Sequence, residues 1–257
     1  MAVPKNNLSY PVLISGGEGG RGSGFYLNTE NGTYLVTACH VLFRRRLELF
    51  QGLTTLTSLA SDFSSKVVFE LDCAKLLADG SLRKHDRADV AVCKLGTVAD
   101  AGGGKRTMTA HSSVKVKVAP PAGAEILGLP VSITRNFDDA TISNDVYLFG
   151  YPTSLGHNAQ LDKAMPLLRK GIIAGKTDDS RLIVDCPVYF GNSGGLVVES
   201  FMGALGATYF YGVGIAVEMI PFVEELWSRQ FNTQTGVRYE NSGYSIVEPM
   251  DRILELL

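Results

Sequence analysis

The chain has 257 residues, 45 % of them hydrophobic and 19 % charged, and a formal net charge of −2 at pH 7. That balance belongs to a globular protein with room for one large core or two small barrels, and it excludes a disordered chain. The near-neutral charge gives no reason to expect a nucleic-acid or bilayer partner, and no apolar run approaches the roughly 20 residues of a spanning helix.

The amino terminus, Met1-Ala-Val-Pro-Lys-Asn-Asn7, lacks the basic-then-apolar pattern of an export leader, so a cytoplasmic protein is expected. Short β-type runs follow, separated by Gly, Asn, Asp and Pro: Pro11–Ile14, Gly24–Leu27, Tyr34–Thr37, Lys66–Phe69 and Val90–Cys93. Asn31-Gly32, between two of these runs, is a hairpin signal. Arg44-Arg45-Arg46 reads as a solvated surface stretch, and Ala38–Leu49 as a weak helical segment. Residues 101–113, with Gly102-Gly103-Gly104, are poor in large apolar groups and read as a linker.

The β texture then resumes with Val114–Val118, Val146–Phe149, Gly171–Ala174, Leu182–Val184, Leu196–Val198 and Val213–Val217. Many short strands of this kind indicate an all-β sandwich or barrel. Helical periodicity is predicted late, over Pro221–Gln230 and Glu248–Leu257, each with proline near the first turn. The four cysteines (Cys39, Cys73, Cys93, Cys186) form no CxxC pair and read as buried free thiols.

One segment could carry chemistry on its own. In Tyr189-Phe-Gly-Asn-Ser-Gly-Gly-Leu196, glycines flank Ser193 where a tight turn could aim successive backbone N–H groups at one point. A serine hydroxyl needs a base. Of the histidines, His40 ends an apolar run, His85 and His111 lie in polar stretches, and His157 lies in a turn-rich loop. The base needs an acid: Asp89 opens an apolar run, whereas its rival Asp86 sits among charged neighbours. Each residue has a plainer reading alone, as a loop serine, a core histidine and a strand-end cap. Together, the order His40, Asp89, Ser193 is that of the chymotrypsin-type triad.

Thr37-Ala-Cys-His40, Ala88-Asp-Val-Ala-Val92 and Gly191-Asn-Ser-Gly-Gly195 resemble the histidine, aspartate and serine motifs of trypsin-like peptidases. Asp145–Pro152 and Gly171–Gly175 resemble cleft-flanking segments of bacterial members, the high-temperature-requirement proteases among them. The resemblance spans residues 10–220. It implies two perpendicular six-stranded antiparallel barrels: residues 1–100 carrying His40 and Asp89, and 114–220 carrying Ser193, with 221–257 a helical extension. It also implies that Ser193 attacks, His40 shuttles the proton, Asp89 orients His40, and the N–H groups of Gly191 and Ser193 bind the oxyanion.

Three departures matter. Asn192 replaces the aspartate that digestive members pair with a new amino terminus, and Cys39 precedes His40 where their disulfide cysteine follows it. Pro187 stands where trypsin carries its specificity aspartate. The expected pocket residues are Pro187, Gly214, Ala216 and Glu218, favouring a small or apolar side chain. No cofactor or metal is expected. Substrates would be proteins or peptides, with narrow or partner-regulated specificity. The competing reading is a silent binding module that kept the fold.

Overall fold

The computed structural model describes residues 3–16, 21–50, 52–100, 106–153 and 162–257. Its first half consists of β1 (Pro11–Gly16), β2 (Arg21–Asn28), β3 (Thr33–Thr37), the one-turn helix α1 (Cys39–Leu42), β4 (Phe43–Arg44), β5 (Glu48–Leu49), β6 (Thr54–Leu59) and β7 (Lys66–Leu71). Helix α2 (Cys73–Ala78), β8 (Leu82–Lys84), β9 (Ala91–Asp100), β10 (Arg106–Ala110), β11 (Val114–Val118) and β12 (Leu129–Pro130) follow.

These strands make a ten-stranded sheet in the order β10-β9-β3-β2-β1-β6-β7-β11, with β12 paired to β2 and β8 to β9. Strands β2 and β3 form the hairpin announced by Asn31-Gly32, closed by Thr29 N–H donating to the Gly32 carbonyl at 2.9 Å. The β4–β5 hairpin stands apart.

The second half closes. Strands β13 (Asp145–Gly150), β14 (Leu167–Lys176), β15 (Leu182–Asp185), β16 (Leu196–Met202), β17 (Thr208–Ser228) and β18 (Thr233–Pro249) form a barrel in the order β13-β14-β15-β18-β17-β16. The continuous apolar runs here have a cause. On β13, Val146 and Leu148 enter the barrel interior, while Tyr147 and Phe149 join the larger core shared with the first sheet. A strand buried on both faces has no polar side to show.

Four expectations need correction. The segment 101–113 is no simple linker: residues 101–105 lie outside the described ones, but β10 pairs along β9 from Arg106↔Asp100 to Ala110↔Gly96. The second barrel does not begin at 114, because β11 pairs with β7 and β12 with β2. Pro221–Gln230 is strand as far as Ser228, paired with β18 from Pro221↔Asn241 to Ser228↔Thr233. Of Glu248–Leu257 only α3 (Met250–Leu254) is helical, so 221–257 is mostly a β-hairpin arm.

The ambiguity was real. Phe222, Val223, Leu226 and Trp227 fit a helical stripe, yet they are 54 %, 49 %, 45 % and 59 % exposed. Pairing with the Thr-, Val- and Tyr-containing strand Thr233–Pro249 decides for β. The segment Ala38–Leu49 likewise gives one helical turn followed by β4 and β5.

Candidate active site

His40 is the second residue of α1, immediately after β3. Its Nδ1 lies 2.6 Å from Asp89 Oδ2, and its backbone N–H donates to Asp89 Oδ1 at 3.1 Å. Cys39 N–H donates to the Asp89 carbonyl at 3.2 Å, so backbone and side chain together clamp the aspartate to the helix start. The imidazole is 42 % exposed and the carboxylate 22 %, which leaves the outer ring edge open to a reactant.

Burial is the largest single influence on the Asp89 carboxyl and pushes its pKa up. The His40 side-chain bond, the imidazole's charge, the His40 N–H and Arg46 together outweigh it and hold the group below its usual value. Behind it, Asp89 N–H donates at 3.2 Å to Oε1 of Glu248, itself only 5 % exposed. Asp86, the rival acid, is exposed.

Arg46 was not legible as part of this arrangement. Its guanidinium donates to the carbonyls of His85, Arg87 and Ala88 at 3.2, 3.0 and 2.6 Å, bracing the turn that presents Asp89. Of the basic run, Arg46 is therefore a structural clamp and not a solvated surface residue. His85 is spent within that turn: Nδ1 accepts from Arg87 and Ala88 N–H, and Nε2 meets Glu255 at 2.8 Å. His111 pairs with Asp79 at 3.3 Å. His157 lies outside the described residues.

Ser193 sits in a turn held on all sides by backbone bonds. Asn192 N–H donates to Tyr189 O at 2.9 Å, Gly195 N–H to Asn192 O at 2.8 Å, and Gly194 N–H to Ala216 O at 2.7 Å. From the first sheet, Ser23 N–H donates to the Ser193 carbonyl at 2.9 Å. Gly191 and Gly194 have φ of +96° and +83°, which side chains disfavour. A Cβ on Gly194 would stand 2.2 Å from Ser23 O, 2.4 Å from Thr37 Oγ1 and 2.7 Å from Ala38 N. The serine turn is thus packed against the strand end that leads into His40.

The N–H groups of Gly191 and Ser193 find no protein acceptor among the described residues. The first has a defined direction. Thr153 donates twice to the Phe190 carbonyl, through N–H at 2.8 Å and Oγ1 at 3.0 Å. In a trans peptide the Gly191 N–H must point the opposite way.

The expected pocket residues divide. Pro187 is half-buried and Glu218 is exposed. Ala216 reaches the turn only through its backbone, for its side chain is fully buried in the barrel interior with Val197 and Val213. A Cβ on Gly214 would stand 2.1 Å from Glu248 O, so that residue faces β18. Gly214 and Ala216 are both buried, next to a point where β17 shifts register against β16 between Gly212 and Gly214.

Residues 22–205 match the trypsin-like peptidase domain, well over half of the chain. No curated protein matches in sequence. Among solved structures, the chain is similar to Deg5 (TM-score 0.52, 16 % identity, covering 98 % of this chain and 88 % of that one). It is similar also to the HtrA-type protease AlgW, determined with a tripeptide (TM-score 0.50, 15 % identity, 98 % and 62 % covered). The serine endoprotease from Yersinia pestis gives a TM-score of 0.49 at 16 % identity, with 99 % and 66 % covered. This chain spans under two thirds of the length of the last two. The likeness to Deg5 and AlgW is one of fold alone, and the family match establishes membership: the chain belongs to the trypsin-like peptidase domain family.

Proposed function

We propose that this chain is a serine endopeptidase acting through His40, Asp89 and Ser193. The observation that carries the proposal is the His40 Nδ1–Asp89 Oδ2 contact of 2.6 Å beside a serine turn anchored to the same sheet. An ionised Asp89 accepts from Nδ1–H, which leaves Nε2 as the base for the Ser193 hydroxyl. Attack by Ser193 Oγ on a peptide carbonyl creates an oxyanion, and the N–H groups of Gly191 and Ser193, without an acceptor among the described residues, supply donors for it. His40 then returns the proton to the leaving amine, and water hydrolyses the acyl-enzyme.

Pro187 offers no charge to a basic side chain, so cleavage after a small or apolar residue is the expected preference. Narrow or partner-controlled specificity belongs to the same proposal. Fluorophosphonate labelling of wild type, abolished in Ser193→Ala, is the test, followed by peptide-library cleavage profiling. An unlabelled wild type across pH 6–9 would refute the assignment.

A further inference from the structure

The residue that joins the two halves of the site is Ser23, on β2 of the first sheet and fully buried. Its Oγ donates to the Gly191 carbonyl at 2.6 Å and accepts from Tyr151 N–H at 2.8 Å. Its N–H donates to Ser193 O at 2.9 Å, and its carbonyl accepts from Thr37 Oγ1 at 2.7 Å. Every polar group of this one residue is therefore engaged, two of them by the turn that carries Ser193.

Consider what this does to Gly191. Thr153 fixes the peptide on its amino side through the Phe190 carbonyl, and Ser23 fixes the peptide on its carboxyl side through the Gly191 carbonyl. With both planes held, φ and ψ of a residue that is otherwise free to rotate are held too. At φ +96° glycine has no side chain to limit it, so the restraint comes from these partners and from Asn192 N–H, on the same peptide as the Gly191 carbonyl, which donates to Tyr189 O at 2.9 Å. We propose that Ser23 is a positioning residue for the oxyanion site: its hydroxyl locks Gly191 in the conformation that aims its N–H at the reacting carbonyl. This rests on the peptidase reading above, and it adds a role for a residue outside the triad and outside the Gly191–Gly195 segment.

Removing the hydroxyl leaves the Gly191–Asn192 peptide held only from its other edge, through Asn192 N–H to Tyr189 O, with both amide donors in place but less aligned. A full donor loss typically costs about 100- to 1000-fold in rate, so partial loss of aim is expected to cost about 10- to 30-fold. The experiment measures fluorophosphonate labelling of Ser193 in wild type, Ser23→Ala and Ser23→Cys, resolved into the maximal labelling rate and the half-saturating probe concentration. Thermal melts of each variant accompany it.

The expected result is a fall of about 10- to 30-fold in the maximal rate for Ser23→Ala, with half-saturation within about twofold of wild type. Ser23→Cys, close in volume but a weak hydrogen-bonding partner, should fall in the same direction, and it carries the test if Ser23→Ala does not fold. A folded variant that labels at the wild-type rate, even with a lowered melting temperature, makes Ser23 merely structural and overturns the proposal. An unlabelled wild type overturns the peptidase reading and this inference with it, which distinguishes the two failures.

Discussion

The His40–Asp89 pair and the Ser193 turn are built from different materials. The first is made by side chains: the Asp89 carboxylate meets the His40 imidazole, and the Arg46 guanidinium braces the backbone carbonyls of the turn that presents Asp89. The second is made of backbone: three glycines and a set of amide–carbonyl bonds shape the turn that carries Ser193. The first should therefore be sensitive to changes of charge and proton state. The second should be sensitive to added volume and to loss of conformational restraint.

Asp89→Asn is the sharpest way to probe the side-chain half. It keeps the shape but reverses the preferred tautomer of His40, and should lower the rate of Ser193 labelling or peptide cleavage by about 10⁴-fold. A drop under tenfold would mean that another group orients the imidazole, Glu248 being the nearest carboxylate along the chain of contacts.

For the backbone half the corresponding change is Gly194→Ala. The new methyl would meet Ser23 O and Thr37 Oγ1 inside contact distance at a φ of +83°. Urea unfolding should report a loss of about 2–4 kcal/mol, and activity should fall about 100-fold or more as the turn shifts. Unchanged activity and stability would show that the turn has slack, and the contrast between the two halves would collapse.

The smallest expected effect separates two neighbouring carboxylates. Asp89 is held below its ordinary value, so its contribution to stability is present above the ordinary carboxylate range and is lost as pH falls through the lowered value. Glu248 has the opposite sign. Burial, and secondarily Asp89, raise its pKa against the lowering influence of the Asp89 N–H and of Arg181 and Arg252. Its contribution is present below its ordinary value and is lost as pH rises through the raised one. Glu248→Gln keeps an oxygen for Asp89 N–H and removes the buried charge. It should raise the melting temperature by about 1–3 °C at pH 8 and by less at pH 4. A lower melting temperature at pH 8 would mean that the ionised Glu248 is a net stabiliser.

Much of the site was legible because its parts carry local signatures. A histidine closing an apolar run, an aspartate opening one and a serine among glycines each follow from what a strand end or tight turn needs. The Asn31-Gly32 hairpin was legible for the same reason, since its geometry is set by adjacent residues. Ser23 gave no such signal, because the carbonyl that its hydroxyl holds lies 168 residues away. Arg46 looked like surface charge because its acceptors are carbonyls at 85, 87 and 88, which any sequence would supply.

The arm beyond Pro221 was misread for a related reason. A spacing of one and four residues between apolar groups suits a helix or two faces of a strand, and only pairing with Thr233–Pro249 distinguishes them. The pocket-wall positions show the same limit: β17 shifts register between Gly212 and Gly214, Gly214 and Ala216 are buried, and a bulge leaves no mark that periodicity can detect.

By itself, then, the sequence determined the β class, the identity and order of the candidate triad, and the glycine turn, all of which are fixed by residues near one another in the chain. The tertiary structure decided that β10 to β12 belong with the first sheet, which side chains brace Asp89, and that Ser23 spans from one sheet to the serine turn of the other. Those outcomes depend on which distant hydrogen-bonding groups meet, and backbone carbonyls and amides are alike at every position until the fold selects among them.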